Sequence, residues 1–196
     1  MKQNLFLNSL LRSGAILGLV MVASHCFEQC AVVYGGSMGW YTAMALEMIV
    51  AAAVYVWLVY RLTKGYAADV MAAQRDVKFF SFGAGLGYAT AISTLAGVIV
   101  GLGRYILHNV IIGHNLYNEK VISSVMEMLK ANPETAPLMS TYNEMFSQMA
   151  AMPAPTIFQT ILSTIFSYSV WGLIVGLLIA GFVKKEPNIF TPNQNE

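Results

Sequence analysis

Residues 79–102 read FFSFGAGLGYATAISTLAGVIVGL, and this run contains no charged side chain. A helix rises about 1.5 Å per residue, so the run is long enough to cross the roughly 30 Å hydrocarbon core of a bilayer. Lipid cannot satisfy an open backbone, and the run lacks the strict alternation of apolar and polar residues found in barrel strands. The stretch therefore predicts a transmembrane helix.

Three further apolar runs have a similar length, and the composition of the whole chain agrees with a membrane protein. Hydrophobic residues make up 57% of the chain and charged residues only 11%, whereas a soluble domain carries roughly 25% charged residues. We predict an all-α membrane protein in which residues 1–186 form a single four-span domain and residues 187–196 form a disordered tail. The predicted spans are residues 10–34, 40–60, 79–102 and 157–183.

The distribution of lysine and arginine predicts the orientation, because these residues mark cytoplasmic loops. Eight basic residues lie before span one, between spans two and three, or after span four, and three lie between spans three and four. Both termini are therefore predicted to be cytoplasmic, in the inner membrane of a bacterium, with residues 104–155 in the periplasm. The net charge of +1 gives no reason to expect nucleic acid as a partner. The expected partner is the lipid bilayer.

The insert between spans three and four has two stretches with helical spacing of apolar residues. One runs from Asn118 to Lys130 after a predicted break at Gly113, and the other begins at Pro137. They predict an amphipathic hairpin that lies on the membrane surface or caps the bundle, or else docks onto a partner protein or lipid. The cytoplasmic link is predicted to hold a short helix from Ala67 to Lys78.

Pairs of glycines predict where the helices pack closely, because small residues let two backbones approach in a membrane. Such pairs occur in spans one, three and four. We expect these faces to join helices within the chain, or to bind a protein partner or a second copy. The residues are Gly14, Gly18, Gly83, Gly87, Gly97, Gly101, Gly172 and Gly176.

Two glutamates lie within the predicted spans, where an ionisable side chain is costly. Glu28 precedes the end of span one by six residues, and Glu47 follows the start of span two by seven. At about 1.5 Å per residue, both lie about 9–10 Å inside the same edge of the membrane. Because the two spans are antiparallel, the two carboxylates are expected at a similar depth.

The stretch SHCFEQC, residues 24–30, adds His25 one helical turn from Glu28, and Arg104 ends span three on the same side. We predict that His25, Glu28, Glu47 and Arg104 meet in one polar intramembrane cluster. Three interpretations stay open: an ion-pair network held by Arg104, a metal or redox site, and a pocket for a proton, lipid headgroup or small solute. The ion-pair network is favoured, and no catalytic residue, metal or cofactor is predicted.

Other polar residues have plainer interpretations. His108 and His114 are expected to be ordinary surface histidines outside the bilayer. Hydroxyl residues at helical spacing along span four predict interhelical hydrogen bonds, or a hydrophilic path for a substrate. These residues are Thr156, Thr160, Ser163 and Ser167.

The sequence resembles a known bacterial family. The segments FFSFGAGLGYATAISTLAGVIVGLGRYI (79–106) and WGLIVGLLIAGFVKKE (171–186), with the methionine- and glutamate-rich insert between them, are similar to the family catalogued as domain of unknown function 4199. Its members are uncharacterised four-helix inner-membrane proteins. The resemblance implies a Gram-negative inner-membrane protein, and it carries over no catalytic residue. Members look like neighbours of genes for membrane-linked glycosyltransferases, which implies an accessory role.

Two functions follow from this sequence. The favoured one is a non-catalytic accessory or scaffold subunit that binds a membrane partner, such as an enzyme of lipid-linked sugars. The alternative is a small oligomeric transporter or channel that uses the polar intramembrane cluster. An enzyme is less favoured, because no paired nucleophile and base is recognisable in the sequence.

Overall fold

The structure, a computed structural model, describes residues 2–74, 79–131 and 139–186 of the chain. Apart from one isolated antiparallel bridge between Phe80 and Lys185, the regular structure in these residues is helical. The all-α prediction is therefore confirmed. The helices are α1 (Lys2–Tyr34), α2 (Gly36–Ala72), α3 (Phe82–Tyr105), a π-helix (Ile106–Ile112), α4 (His114–Ala131), α5 (Met139–Ala151) and α6 (Ile157–Val183).

Four stretches of these helices are long and apolar enough to cross a membrane. At 27 residues α6 is the shortest of them, and at about 1.5 Å per residue it is about 40 Å long, which exceeds the hydrocarbon core. The predicted number of four is confirmed, and each stretch overlaps one predicted span. They are Leu5–Tyr34, Met44–Ala72, Phe82–Ile112 and Ile157–Val183.

Two glycines with positive φ separate helices. Gly36 (φ 64°) opens α2 directly after α1, and Gly113 (φ 90°) separates the π-helix from α4. Side chains rarely adopt such angles, whereas glycine does so at little cost. The predicted break at Gly113 is confirmed, and α4 and α5 form the predicted helices of the insert. Pro137, residues 75–78 and the tail 187–196 lie outside the described residues.

The predicted short helix from Ala67 to Lys78 is wrong as a separate element, because α2 continues without a break to Ala72. Packing explains the difference. The ring of Tyr66 stacks on that of Tyr88 with centroids 4.0 Å apart, and Ala67 is fully buried. Arg61 and Trp57 lie one turn apart on the same helix, and Cζ of the Arg61 guanidinium is 5.2 Å from the centre of the Trp57 ring. These contacts keep the segment helical beyond the predicted membrane edge.

The chain divides into two compact units by its contacts. The first comprises Met1–Gly18, Val54–Gly97 and Ile165–Glu196. Its core contains neutral tyrosines that are fully paired: the Tyr88 hydroxyl donates to Ser13 Oγ (2.8 Å), and the Tyr55 hydroxyl donates to Ser93 Oγ (2.7 Å). Buried polar groups need such partners. This unit therefore holds its helices together with uncharged groups.

Glycines also join helices in the first unit. A Cβ on Gly14 would lie 2.6 Å from Leu95 Cδ2, and one on Gly172 would lie 2.5 Å from Ser93 Cβ. Both distances are too short for a real side chain, so only glycine permits these contacts. Gly176 lies against Leu86 more loosely, with a Cβ distance of 3.1 Å.

The structure corrects the choice of glycines at the start of α3. Gly83 and Gly87 are exposed, and a Cβ on either would meet no described atom within 4 Å. The close approach is made by Gly85, which faces Ala180 of α6 at a Cβ distance of 3.3 Å. The helix turns about 100° per residue, so the packed face passes through Gly85 and not through its neighbours two residues away.

The second unit comprises Leu19–Ala53 and Val98–Thr164. In it, a Cβ on Gly101 would lie 2.8 Å from the Cα of Ile161, and one on Gly103 would lie 2.7 Å from Val22 Cγ2. Gly101 therefore brings the backbone of α3 against the backbone of α6. Gly18 of α1 and Gly97 of α3, which end two segments of the first unit, are also buried.

We expect Gly101→Ala to destabilise the protein, because the new methyl group would meet backbone atoms that cannot rotate away. Overpacking of this kind costs about 1–3 kcal/mol, and each kcal/mol lowers Tm by about 2–4 °C in a protein of this size. Gly87→Ala is the matched control on the same helix, where the methyl group meets open space. Thermal unfolding in detergent measures both, and equal Tm values for the two variants would contradict the close approach at Gly101.

Candidate functional site

Three of the four residues predicted to form the polar cluster come together in the second unit. His25 and Glu28 lie one turn apart on α1, and Glu47 reaches them from α2. The Nδ1 atom of His25 lies 3.0 Å from Glu28 Oε2 and 3.6 Å from Glu47 Oε1. Ser24 Oγ donates a hydrogen bond of 3.3 Å to the same Glu47 oxygen. Ser24 was not singled out from the sequence, although it opens the SHCFEQC stretch.

The cluster is shielded from its surroundings. The side chains of His25, Glu28 and Glu47 are 19%, 14% and 13% exposed. A carboxylate oxygen of Glu28 lies within 4.8 Å of one of Glu47. Two carboxylates this close repel each other in a medium of low dielectric constant, and the repulsion falls when a proton or a metal cation lies between them. The imidazole supplies only one positive charge, and only when it is protonated. The arrangement therefore favours the uptake of positive charge.

The same three residues form a group with the spacing of metal ligands. One ligand atom from each of them lies within 4.8 Å of the other two. In a tetrahedral site with bonds of about 2.1 Å, two ligand atoms are about 3.4 Å apart, which falls between the two measured His25 distances. One imidazole nitrogen and two carboxylate oxygens are suitable ligands for Zn²⁺ and similar ions, with the fourth position left for water or another ligand.

Arg104 does not join the cluster. In the described part of the chain no ion pair within 4.0 Å connects it to a carboxylate, so the favoured ion-pair network is wrong as an account of these residues. Arg104 is exposed and lies close enough to Glu28 to act on it electrostatically. Its neighbours are instead the residues of a polar cavity.

This cavity has a volume of about 510 Å³ and lies between the π-helix and the start of α6. π-Helices are rare and are often found at functional sites. The π-helix changes the register of the chain after α3 and places His108 and Asn109 at the cavity wall. The lining residues are Arg104, His108, Asn109, Pro155, Gln159, Thr160 and Ser163.

The two histidines near the cavity are not the ordinary surface residues that the sequence suggested. His108 Nε2 lies 3.0 Å from His114 Nδ1, and His114 Nε2 lies 3.0 Å from the side-chain amide of Asn118. The ring of His108 also packs on the ring of Tyr117, with centroids 4.5 Å apart. In a continuous α-helix, residues six apart would lie about 240° apart around the axis. Only the break at Gly113 lets these histidines meet, which is why spacing alone missed them.

The hydroxyl groups at the start of α6 form bonds within their own helix. Thr160 Oγ1 donates to Thr156 O (3.1 Å), and Thr164 Oγ1 donates to Thr160 O (2.7 Å). Ser163 Oγ likewise donates to Thr160 O (3.0 Å). Ser163 and Thr160 also line the cavity, so this stretch contributes polar atoms to a wall.

Tyr117 of α4 lies within the electrostatic reach of both the cluster and the cavity. Burial raises the pKa of its hydroxyl, the negative charges of Glu28 and Glu47 raise this pKa further, and the positive charge of Arg104 lowers it. Because Tyr117 also packs on His108, it connects the carboxylates with the cavity wall. No sequence pattern had indicated this role.

Comparison with known proteins gives one match. A family model described as "Protein of unknown function (DUF4199)" matches residues 12–185, which confirms the resemblance seen in the sequence. No curated protein and no solved structure matches the chain.

Tyr117 offers a pH-dependent test of the geometry. Glu47→Gln removes a nearby negative charge and should lower the pKa of Tyr117, whereas Arg104→Gln removes a positive charge and should raise it. The measurement is a pH titration by ¹³C NMR of protein labelled at tyrosine Cζ, with Tyr117→Phe to assign the signal. Glu144→Gln, an exposed carboxylate on α5, is the control and should leave the pKa in place. Shifts of the opposite sign would contradict the arrangement.

Proposed function

Because the chain belongs to the DUF4199 family of proteins of unknown function, we propose a function from its own geometry: a small multi-pass transporter that binds a divalent transition-metal cation within the membrane. The observation that carries this proposal is the convergence of His25, Glu28 and Glu47 from two helices that are apolar enough to span a bilayer. It thus favours the second of the two functions drawn from the sequence.

A binding role explains why these residues lie where they are costly. Ionisable side chains within a span are expensive and commonly mark the path of an ion or a substrate. A divalent cation neutralises the negative charge of two carboxylates, and the imidazole nitrogen adds an uncharged ligand. Three protein ligands leave a coordination position open, and an open position allows the ion to enter and leave. Four helices enclose little space, so the proposed transporter is a homo-oligomer.

The proposed setting is the inner membrane of a bacterium, with both termini in the cytoplasm. The excess of lysine and arginine before span one, after span two and after span four supports this orientation. It places α4 and α5 on the periplasmic side. Glu28 lies near the end of span one and Glu47 near the start of span two, which in this orientation are the periplasmic ends of both spans. Substrate cations would then approach the cluster from the periplasm.

A second candidate is an accessory subunit that binds a membrane partner, such as an enzyme of lipid-linked sugars. The observation that favours it is the open surface at Gly83 and Gly87, where small residues one turn apart meet no other described atom. Met128 and Met145 are also exposed on the two helices of the insert, and methionine adapts to irregular partner surfaces.

Titration of the purified protein with Zn²⁺ in detergent tests the transporter. We expect one ion per chain, with at least about tenfold weaker binding for Glu47→Gln and His25→Asn, because loss of a ligand costs at least as much as loss of an outer-shell partner. Binding should weaken as the pH falls, since protons compete for the same atoms. Isothermal titration calorimetry measures the affinity. Flux of Zn²⁺ into proteoliposomes that contain a zinc-sensitive dye should fall in parallel.

Glu144→Gln is the matched control for this titration and should bind as tightly as the natural sequence. Equal affinity of Glu47→Gln and Glu144→Gln would place any bound zinc elsewhere and refute the site. Binding without flux would refute transport but keep the cation site. If neither is found and the protein leaves mild detergent together with a membrane enzyme, the accessory function replaces the proposed one.

Reporter fusions test the proposed orientation. Green fluorescent protein fused after Glu186 should fluoresce, because it folds in the cytoplasm, and alkaline phosphatase at that position should be inactive. Alkaline phosphatase fused after Ala131, between α4 and α5, should be active in the periplasm. The reverse pattern would invert the orientation.

A further inference from the structure

The cavity between the π-helix and α6 has a net positive lining. Arg104 is the one lining residue with a permanent charge, and no carboxylate lines the cavity. The guanidinium has no ion-pair partner within 4.0 Å in the part of the chain that the structure describes. Glu28 acts on it only from a greater distance. An unpaired guanidinium at a cavity wall is suited to bind an anion, above all a phosphate or carboxylate through two parallel hydrogen bonds.

Asn109 supplies a second and independent sign of a ligand. Both polar atoms of its side chain, Oδ1 and Nδ2, are buried, and neither has a hydrogen-bond partner among the described residues. Buried amides are almost always paired, so two unpaired atoms in one side chain need an explanation. Asn109 lines the same cavity as Arg104. Both atoms are closed off in the present arrangement, so the side chain must turn toward the cavity before a ligand with acceptor oxygens and hydroxyl groups can satisfy its donor and its acceptor.

The start of α6 adds a third favourable element. Thr156 and Gln159 form a reciprocal cap: the Thr156 backbone N–H donates to Gln159 Oε1 (2.9 Å), and the Gln159 N–H donates to Thr156 Oγ1 (3.3 Å). The cap uses the Gln159 oxygen, so its amide NH₂ is the group that remains to donate into the cavity. The N-terminal end of a helix also carries partial positive charge and favours anions.

The position of the cavity indicates where its ligand comes from. It lies within the first two turns of α6, which are the first two turns of a predicted membrane span. Headgroup phosphates of a bilayer lie at this level. Phe158 and Leu162 are exposed on the same turns of α6, and Val110 is exposed on the π-helix, so acyl chains would meet apolar surface beside the cavity.

We infer that the cavity formed by Arg104, Asn109 and Gln159 binds a phosphate ester with a hydroxyl-bearing substituent, supplied as the headgroup of a membrane lipid. The volume of about 510 Å³ lies in the range of small-molecule pockets, about 300–1,000 Å³, and suits a substituted phosphate. Arg104 holds the phosphate oxygens, and Asn109 bonds to the substituent. The inference does not require that a cation binds at His25, Glu28 and Glu47.

Binding of short-chain phosphatidylglycerol to the full chain in neutral, lipid-depleted detergent tests this inference, with diacylglycerol of the same chain length as the probe without phosphate. We expect binding of phosphatidylglycerol only. Arg104→Gln should weaken it about tenfold, the loss typical of one hydrogen bond to a charged group. Asn109→Asp keeps the shape of the side chain but adds a negative charge, and should weaken binding at least as much. Arg12→Gln, an exposed arginine of α1, is the matched control.

Glycerol 3-phosphate and inorganic phosphate form the second arm and identify the source. Weak or no binding of both would confirm a lipid headgroup, whereas binding as tight as that of the lipid would assign the site to a soluble phosphate ester. Equal binding of phosphatidylglycerol and diacylglycerol by the natural chain would overturn the inference, and this result needs no variant. So would equal losses in Arg104→Gln and Arg12→Gln, provided that size-exclusion profiles show both folded.

Discussion

Hydrocarbon offers no hydrogen-bond partners, and most features of this protein follow from that constraint. Each spanning segment must satisfy its backbone internally, so the apolar runs fold as helices. Each polar side chain within a span must find a partner from another helix or from its own. The Ser24, His25, Glu28 and Glu47 cluster is one such solution, since its members are hydrogen-bonded or ion-paired to one another.

The two compact units solve the same problem differently. In the first unit the buried hydroxyls of Tyr55 and Tyr88 donate to serines, whereas the buried Thr63 hydroxyl has no hydrogen-bond partner among the described residues. In the second unit the polar groups are ionisable or unpaired: an imidazole between two carboxylates, an unpaired guanidinium, and an amide with both atoms buried and unsatisfied. Groups of that kind destabilise a fold unless something binds to them. The residues on which both binding proposals rest therefore lie in the second unit.

The sequence predicted the number and place of the spans because chain length and apolarity fix them almost alone. It also predicted that His25, Glu28 and Glu47 would meet, since depth in an antiparallel pair depends only on counting residues from the turn. The sequence did not predict the contacts that depend on the direction in which a residue faces on its helix. Gly85, and not Gly83 or Gly87, faces α6, and the spacing of the glycines alone does not show which of them lies on the packed face. Asn109 and His108 reach the cavity through a π-helix, whose change of register has no clear sequence signal.

The position of Arg104, which the sequence did not predict correctly, changes the functional interpretation of both polar sites. Had it paired with one of the two carboxylates, that pair would have been neutral, and both the carboxylate and the guanidinium would have been less available to bind other ions. Arg104 forms no such ion pair among the described residues and instead lines the cavity, so the carboxylates and the guanidinium can each bind another ion. Its charge still acts on Glu28, so the two sites are electrostatically linked. A cation at the carboxylates would withdraw the attraction that they exert on Arg104 and strengthen its hold on a phosphate. By linkage, phosphate at Arg104 would strengthen cation binding by the same factor. The proposed cation site and the proposed phosphate site would therefore be coupled through Glu28 and Arg104, and Tyr117 lies within electrostatic reach of both residues.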